Sequence, residues 1–495
     1  MVTAVERKGY KMYVGGEWVG GSAGAFDNMN PASGDVWQQI PNSSADDARR
    51  AIGAAAAAAK SWAATPHPER ASYLLKAADI LEKRKGEVAD ILIDEAGSWI
   101  GKAMFEIGYV TGLLRSAAAM AYSPTGEILP SDHGKLMMVE RVPLGVVSVI
   151  SPWNFPLLLS SRGISIPMAV GNTVVLKPSE ETPVAGGLLI AEIFEEAGLP
   201  KGVLNVITCS RNDVQAVGEV LVTDPRVGGI SFTGSTAVGR QIARDGAYNL
   251  KRIAMELGGK DALIILDDAD LERAVDAATF GTFMHQGQIC MSTERIIVDA
   301  SLADAFTEKF VERVKGLGIG NTRELGCPIG PIINQKQLDK IHGQVTEAIN
   351  AGATLLTGGK HDGLFYHPTV LANVKRDMRV WREETFGPVA PIVVVNGEDE
   401  AVEVANDCEY GLSAGVITAS EERGMSVVHR LETGIAHVND QSVYDEPHVP
   451  FGGVKNSGIG RHGGRASVET FTETRWLTIE RGGRHYPPPF LAKGH

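Results

Sequence analysis

The chain has 495 residues, 44% of them hydrophobic and 22% charged, with a formal net charge of −13. That length exceeds one small core and fits about three structural units, in an ordinary soluble globular composition. The acidic balance argues against nucleic acid or an anionic membrane surface as the main partner, because it leaves no basic footprint to hold either.

The four cysteines, Cys209, Cys290, Cys327 and Cys408, are far apart and form no C-x-x-C pair. Neither a cysteine-built zinc site nor a disulfide framework is expected, and a reduced, cytoplasmic setting fits best. The N-terminus lacks the apolar core of a signal peptide. No apolar run reaches the roughly 20 residues of a spanning helix.

Residues 11–40 read as short strands with turns. Residues 45–64, 68–96 and 99–121 read as helices. Residues 122–141 turn polar and extended, as a projecting hairpin would. A regular alternation follows: a buried strand over 143–151, a helix over 156–170 and a strand over 173–177. Next come a helix over 183–197, a strand over 203–207, a helix over 213–222 and a strand over 227–232. A helix from Ser235 and a strand over 251–257 complete the series. Strands alternating with helices predict a parallel sheet covered on both faces. The pattern resumes more loosely over 261–440, which predicts a second α/β unit. Asp445–Lys455 is a loop rich in breakers. Thr474–Glu480 is a lone strand that must pair, either with the projecting hairpin or with another subunit.

Several short stretches carry candidate chemistry. Cys290 lies between a helix-like segment and the strand-like Arg295–Asp299. Exposed backbone N–H groups at such a junction would favour its thiolate; the plainer reading is a small buried hydrophobe. Ser231-Phe-Thr-Gly234-Ser-Thr-Ala-Val-Gly239 leads from a strand into a helix whose free N–H groups could take a phosphate, or it is a turn with an N-cap. Lys177-Pro-Ser-Glu180 ends a parallel strand, where α/β sheets place ligands. Its Lys and Glu could bind two ribose hydroxyls, or form a solvated charge pair. Asn154 could donate to a developing oxyanion or cap a helix. Glu256, ending an apolar strand, should have a raised pKa and could act as a general base, or be a hydrogen-bonded structural group. Glu383-Glu384-Thr-Phe386-Gly-Pro388 sets a carboxylate and an aromatic in a tight turn.

Singly these are ambiguous. As an ordered set they closely resemble the NAD(P)-dependent aldehyde dehydrogenase superfamily over essentially the whole chain. The set comprises Pro152-Trp-Asn-Phe-Pro156, Lys177-Pro-Ser-Glu180, Phe232-Thr-Gly-Ser-Thr236, Glu256-Leu-Gly-Gly259, Gly287-Gln-Ile-Cys290, Glu384-Thr-Phe-Gly-Pro388 and Pro450-Phe-Gly-Gly-Val-Lys-Asn-Ser-Gly458. The resemblance implies the family's α/β fold. A Rossmann-like cofactor domain would span 1–121 and 142–255, with 457–471 returning to it. A catalytic domain would span 256–456. An oligomerisation arm would comprise 122–141 and 472–485.

The resemblance also implies roles. Cys290 would attack the aldehyde, with Asn154 and the Cys290 N–H holding the oxyanion, and Glu256 would activate the water that hydrolyses the thioester. Cofactor contacts would fall on Ile150, Ser151, Pro152, Trp153, Lys177, Ser179, Glu180, Gly234, Ser235, Val238, Leu257, Glu384 and Phe386. Glu180 should repel a 2′-phosphate, so NAD is expected to be preferred, with NADP possible. A homodimer or homotetramer and no metal are expected.

The stretches Gln286–Arg295 and Val438–Pro447 look most like the aromatic-aldehyde branch, the benzaldehyde, salicylaldehyde and vanillin dehydrogenases. Helical spacing from Asn154 places Phe155, Leu158 and Arg162 near the oxyanion site. Ile289, Met291, Tyr444 and Phe451 would complete an apolar slot suited to a planar ring. Arg162 would contact ring substituents or fix a loop carboxylate such as Asp445 or Glu446; a surface Arg is the alternative. Rival readings are an oxidiser of aliphatic semialdehydes or betaine-type aldehydes, a CoA-acylating enzyme, and a catalytically silent protein on this fold. His285, His437, His448 and His462 are scattered and read as structural or exposed.

Overall fold

The structure, a computed structural model, describes residues 9–123, 126–483 and 486. The Pro-rich tail and the last residues of the expected arm lie outside the described residues.

Side chains of the first parallel strands alternate between two apolar layers. Val147, Val149, Val174 and Leu176 enter one buried cluster, and Val146 and Val175 the other. This is the pattern of a sheet covered on both faces. The eight strands lie in the order Glu17–Val19, Met12–Val14, Leu204–Val206, Thr173–Lys177, Val146–Ile150, Val227–Thr233, Arg252–Glu256 and Gly458–Ile459. Those from Leu204–Val206 to Arg252–Glu256 are parallel. The chain reverses its winding between Val146–Ile150 and Val227–Thr233. In open α/β sheets a ligand crevice forms outside the strand ends at such a point.

Leu257–Lys260 carries the chain directly into a second, seven-stranded sheet. Asp261–Ile265 is flanked there by Thr293–Asp299 and Ala414–Ile417, all parallel. Its strands alternate in the same way: Ala262 and Ile264 face one cluster, Leu263 and Ile265 the other. Glu256 ends a strand of the first sheet, and Cys290 precedes a strand of the second. The seam between the sheets brings them together.

The lone C-terminal strand, Thr472–Ile479, pairs antiparallel with Leu136–Pro143, which pairs with Gly126–Leu129. Its partner is thus the projecting hairpin of the same chain. Ile128 and Trp476 on this small sheet stay exposed.

Three elements differ from the sequence expectation. The helix read over 68–96 breaks at Arg84, between His67–Lys83 and Lys85–Ala96, where the guanidinium turns to Glu87 and Glu192. The strand read over 143–151 breaks at Gly145, whose φ of +103 only glycine adopts easily. The helix read over 183–197 opens as a wide π turn, Val184–Leu188. There Gly187 lies so close to Pro178 that a Cβ would meet its ring at 2.7 Å, and Glu95 takes the Val184 and Ala185 N–H groups.

Candidate active site

The helix Leu271–Phe283 ends in a tight turn, Met284–Gly287, that aims the following loop back at the first sheet. His285 and Gln286 adopt φ of 49 and 57. Left-handed backbone at non-glycine residues costs about 1–3 kcal/mol each and persists only where the surroundings over-determine it. Here they do. Gln286 Nε2 donates to the Pro331 carbonyl, and Ile333 N–H donates to Gln288 Oε1. A Cβ on Gly287 would lie 2.2 Å from the Gly387 carbonyl. The turn leaves Cys290 Sγ 3.9 Å from Glu256 Oε1. Asn154 Nδ2 donates to the Gln288 carbonyl at 3.0 Å, two residues before the cysteine. Cys290, Glu256 and Asn154, scattered over 137 residues of sequence, share one site.

The electrostatics agree with one sequence expectation and correct another. Burial pushes the Glu256 pKa up to about 7; Arg162 opposes that rise and Asp445 adds to it. A carboxyl poised there can exchange protons near neutrality. Cys290 behaves opposite to expectation. Loss of solvation raises its pKa well above the usual thiol value, followed by the charges of Glu256, Asp261 and Glu384; Arg162 only partly offsets them. The thiol form is therefore favoured in the free protein, first because the sulfur is buried and then because three carboxyl groups lie around it. A thiol that is to react needs a base, and the Glu256 carboxyl lies within reach of this one.

Arg162 is buried rather than on the surface. Its guanidinium pairs with Asp445, donates to the Tyr109 hydroxyl at 2.9 Å and lies 3.9 Å from Glu256 Oε2. Tyr109 donates to Asp445 in turn at 2.8 Å. The loop-carboxylate role expected for Arg162 is the one observed, with Asp445 as the carboxylate. Its planar cation also lies 4.3 Å from the Phe451 ring centroid, close enough for cation–π attraction. Phe155, Leu158, Ile289, Met291 and Phe451 are buried in one cluster, against which Cys290 packs. Tyr444 does not join them. It is 47% exposed, its hydroxyl bonds Glu446 and its ring packs against His437. Tyr109, from the helix Ile100–Met120, supplies an aromatic in that cluster instead.

A second buried pair lies behind Asn154. Lys102 Nζ donates to Glu106 at 2.5 Å and to the Asn154 carbonyl at 2.9 Å, and sits 4.1 Å from the Phe155 ring centroid. Glu106 accepts the Leu158 N–H, an otherwise unpaired donor at the start of Pro156–Ala169, whose N-cap residue Phe155 makes no side-chain cap. Sequence reasoning passed over Lys102, Glu106 and Tyr109. The available signal was a Lys and a Glu at i, i+4 inside a largely apolar helix.

At the winding reversal a cleft of about 1260 Å³ opens, lined by Ile150–Trp153, Lys177, Ser179, Glu180, Gly234, Ser235 and Val238. These are cofactor positions expected from sequence, gathered in one cleft. Its shape and donors suit a dinucleotide. Ser235 stands before the helix Thr236–Tyr248 without a side-chain cap bond, which leaves that helix start to an anion. Gly234 allows close approach, since a Cβ there would strike the Phe232 ring at 2.7 Å. Leu257 is buried beneath Gly239 of the same helix, not in the cleft wall. Glu384 and Phe386 stand apart from the cleft lining, with Phe386 edge-on to Trp153 at 5.4 Å and Glu384 Oε1 accepting the Gly259 N–H. Among the described residues no group of three His, Cys, Asp or Glu is arranged to hold a metal, and no helix is long and apolar enough to cross a membrane.

Residues 18–477 match the aldehyde dehydrogenase family. The chain is 46% identical over 474 residues to a vanillin dehydrogenase of Amycolatopsis sp., covering 95% of this chain and 97% of the relative. It is 43% identical to the benzaldehyde dehydrogenase [NAD(+)] of Pseudomonas putida, over 95% and 96% of the two chains. A salicylaldehyde dehydrogenase from Pseudomonas putida G7, solved with salicylaldehyde, superposes with a TM-score of 0.94 at 40% identity, over 97% of this chain and 99% of the other. With that match over most of its length and these identities, the chain belongs to the aldehyde dehydrogenase family.

Proposed function

We propose that the chain oxidises a planar aromatic aldehyde, of the benzaldehyde, salicylaldehyde or vanillin type, to its carboxylic acid. The observation that carries the reading is the apolar wall around Cys290, formed by Phe155, Leu158, Ile289, Met291 and Phe451, with the Arg162–Tyr109 pair at its edge. Such a slot accepts a flat ring and offers no free charge for the far end of a semialdehyde or betaine. The three relatives above are all named for aromatic aldehydes.

Cys290 Sγ attacks the carbonyl carbon while Glu256 takes the thiol proton. Asn154 Nδ2 and the Cys290 N–H hold the oxyanion of the thiohemiacetal. When bound, NAD(P) supplies the acceptor for the hydride that leaves the former aldehyde carbon. Glu256 passes its proton to solvent and then takes one from the water that attacks the thioester. The acid departs and Cys290 returns to the thiol. Lys177 and Glu180 hold the adenosine ribose, Ser235 the pyrophosphate, and Glu384 with Phe386 the nicotinamide end. Glu180 disfavours a 2′-phosphate, so NAD is preferred. Arg211, 3.9 Å from Glu180 and 3.8 Å from Glu181, softens that repulsion and leaves NADP usable.

The division into cofactor domain (1–121, 142–255 and 457–471), catalytic domain (256–456) and arm (122–141 and 472–485) follows the same reading. So do a homodimer or homotetramer joined through the arm's exposed Ile128 and Trp476, and a cytoplasmic setting. The test is a panel of aldehydes with NAD and with NADP, read by absorbance of the reduced cofactor, with Cys290→Ala as control. Aromatic aldehydes should give the highest kcat/KM. Higher efficiency with aliphatic semialdehydes or betaine aldehyde would overturn the substrate class, and CoA-dependent product release would overturn hydrolysis.

A further inference from the structure

Glu294 lies four residues after the nucleophile, in the strand Thr293–Asp299, and is 2% exposed. Both its oxygens are engaged. Oε1 accepts the Thr385 N–H at 3.0 Å and the Phe386 N–H at 2.8 Å; Oε2 accepts Thr385 N–H at 2.7 Å and Lys260 Nζ at 2.7 Å. Lys260 also reaches Thr385 Oγ1 at 3.2 Å. From the opposite side Gln337 Nε2 donates to the Thr385 carbonyl at 3.0 Å and the Phe386 carbonyl at 2.9 Å. The N–H groups and carbonyls of these two residues are thus gripped separately. The turn needs that grip, because Phe386 holds φ of 55, a left-handed value that bulky side chains avoid. Its ring then packs edge-on against Trp153, in the loop that follows the strand Val146–Ile150, while the preceding Glu384 turns back to Gly259.

We propose that Glu294 is a positioning residue for hydride transfer, holding the Thr385–Phe386 turn so that Glu384 and Phe386 stand against the nicotinamide half of the cofactor. The proposal rests on the reading above that these two residues form that part of the site. A turn that merely completed the fold would not need a buried carboxylate, since side-chain amides or glycine satisfy such turns without desolvating a charge. A carboxylate accepts from three donors at once, and it ties the turn to the segment that carries Cys290. Glutamine at this position offers one acceptor oxygen and must abandon part of the set.

The test compares two activities of Glu294→Gln. Hydrolysis of p-nitrophenyl acetate without cofactor uses Cys290, Asn154 and Glu256 but no nicotinamide. Oxidation of benzaldehyde uses all of them. The ratio of oxidation to ester hydrolysis should fall by about tenfold to a hundredfold, the cost of a misplacement of order 1 Å. Titration calorimetry should show weaker NAD binding, and a deuterium isotope effect from the aldehyde hydrogen should grow as hydride transfer becomes limiting. An unchanged ratio overturns the proposal, whether both activities persist or both fall together. Should Glu294→Gln fail to fold, Gln337→Leu removes the other grip and is judged by the same ratio. If the wild type oxidises no aldehyde with NAD or NADP, the functional reading itself fails and this inference with it. An active wild type with an unchanged variant ratio sinks the inference alone.

Discussion

The base is the place where charge and rate are most directly linked. In the proposed mechanism Glu256 acts as a carboxylate, so turnover limited by thioester hydrolysis should rise with pH through its pKa of about 7 and level off above it. Arg162 stands 3.9 Å from Glu256 Oε2. Opposite charges at that distance attract by about 4 kcal/mol at the effective dielectric of a protein site. At about 1.4 kcal/mol per pKa unit this is an upper limit of about three pH units. Arg162 also neutralises Asp445, whose charge raises the Glu256 pKa. Arg162→Met should therefore move the acid limb of kcat against pH upward by about one to three pH units. At pH 7, where about half of Glu256 is ionised to begin with, that costs about fivefold for one unit and about five hundredfold for three. Asp445→Asn should do the reverse, because it removes the charge that raises Glu256 and leaves the one that lowers it. Arg162→Met alone strands a buried carboxylate, at a cost of about 3–5 kcal/mol in stability, so the double variant Arg162→Met/Asp445→Asn serves as the folded control. The assay is kcat from pH 5 to 9 at saturating aldehyde and cofactor, alongside ester hydrolysis over the same range. Limbs that stay near pH 7, or that move the same way in both single variants, would refute the electrostatic account.

Asn154→Ala should lower kcat by about 10²–10³ with KM little changed, since its amide serves the oxyanion and not the ground state; steady-state kinetics measure the split. Glu95, whose oxygens take the Val184 and Ala185 N–H groups, is pushed by burial to a pKa of about 8 from 4.5. Its folded pKa is the higher one, so its contribution to stability is whole below 4.5 and is lost as pH rises toward 8. Glu95→Gln does not titrate, so thermal melts should shift in the variant's favour between pH 5 and pH 8, by a few kcal/mol at most. Lys102→Met leaves Glu106 unpaired in the core and should cost about 3–5 kcal/mol in denaturant melts, whereas Lys102→Met/Glu106→Leu should recover most of that stability but not the oxidation rate.

The residues proposed to do chemistry drew notice in the sequence because each sits where a regular element ends. Glu256 closes an apolar strand, Asn154 precedes the proline that opens a helix, and Ser235 stands before a helix start. Periodicity locates such ends. Of the contacts that hold these residues, Arg162 with a loop carboxylate was legible as one of two roles, while Lys102 with Asn154 and Glu294 with Phe386 were not, because the partners are remote in sequence. The expectation of a thiolate at Cys290 is opposed by burial first, and by charges remote in sequence second. Local chain around Cys290 shows N–H groups, while the carboxylates that raise its pKa come from Glu256, Asp261 and Glu384. Tyr444 was misplaced because a loop has no period to fix the direction of a side chain. The breaks at Arg84 and Gly145 answer to tertiary contacts and backbone conformation that an apolar pattern does not encode.

Among the described residues, Lys102–Glu106, Arg162–Asp445 and Lys260–Glu294 form buried ion pairs beside the site. Stability alone gives little reason for them, because well-packed apolar side chains of similar volume often hold a fold equally well or better. Each pair, however, ends on a segment that carries a reacting or binding group. The first holds the Asn154 carbonyl and the start of its helix, the second stands beside Glu256, and the third grips Phe386. A charge-assisted bond from a buried group fixes direction more strictly than apolar contact does. In the proposed mechanism Asn154, Glu256 and the Thr385–Phe386 turn must each be held in productive geometry before substrate arrives, since reorganisation during reaction adds to the barrier. The charged shell therefore serves geometry more than stability, which is why replacing a whole pair should spare the melting curve and still slow the enzyme.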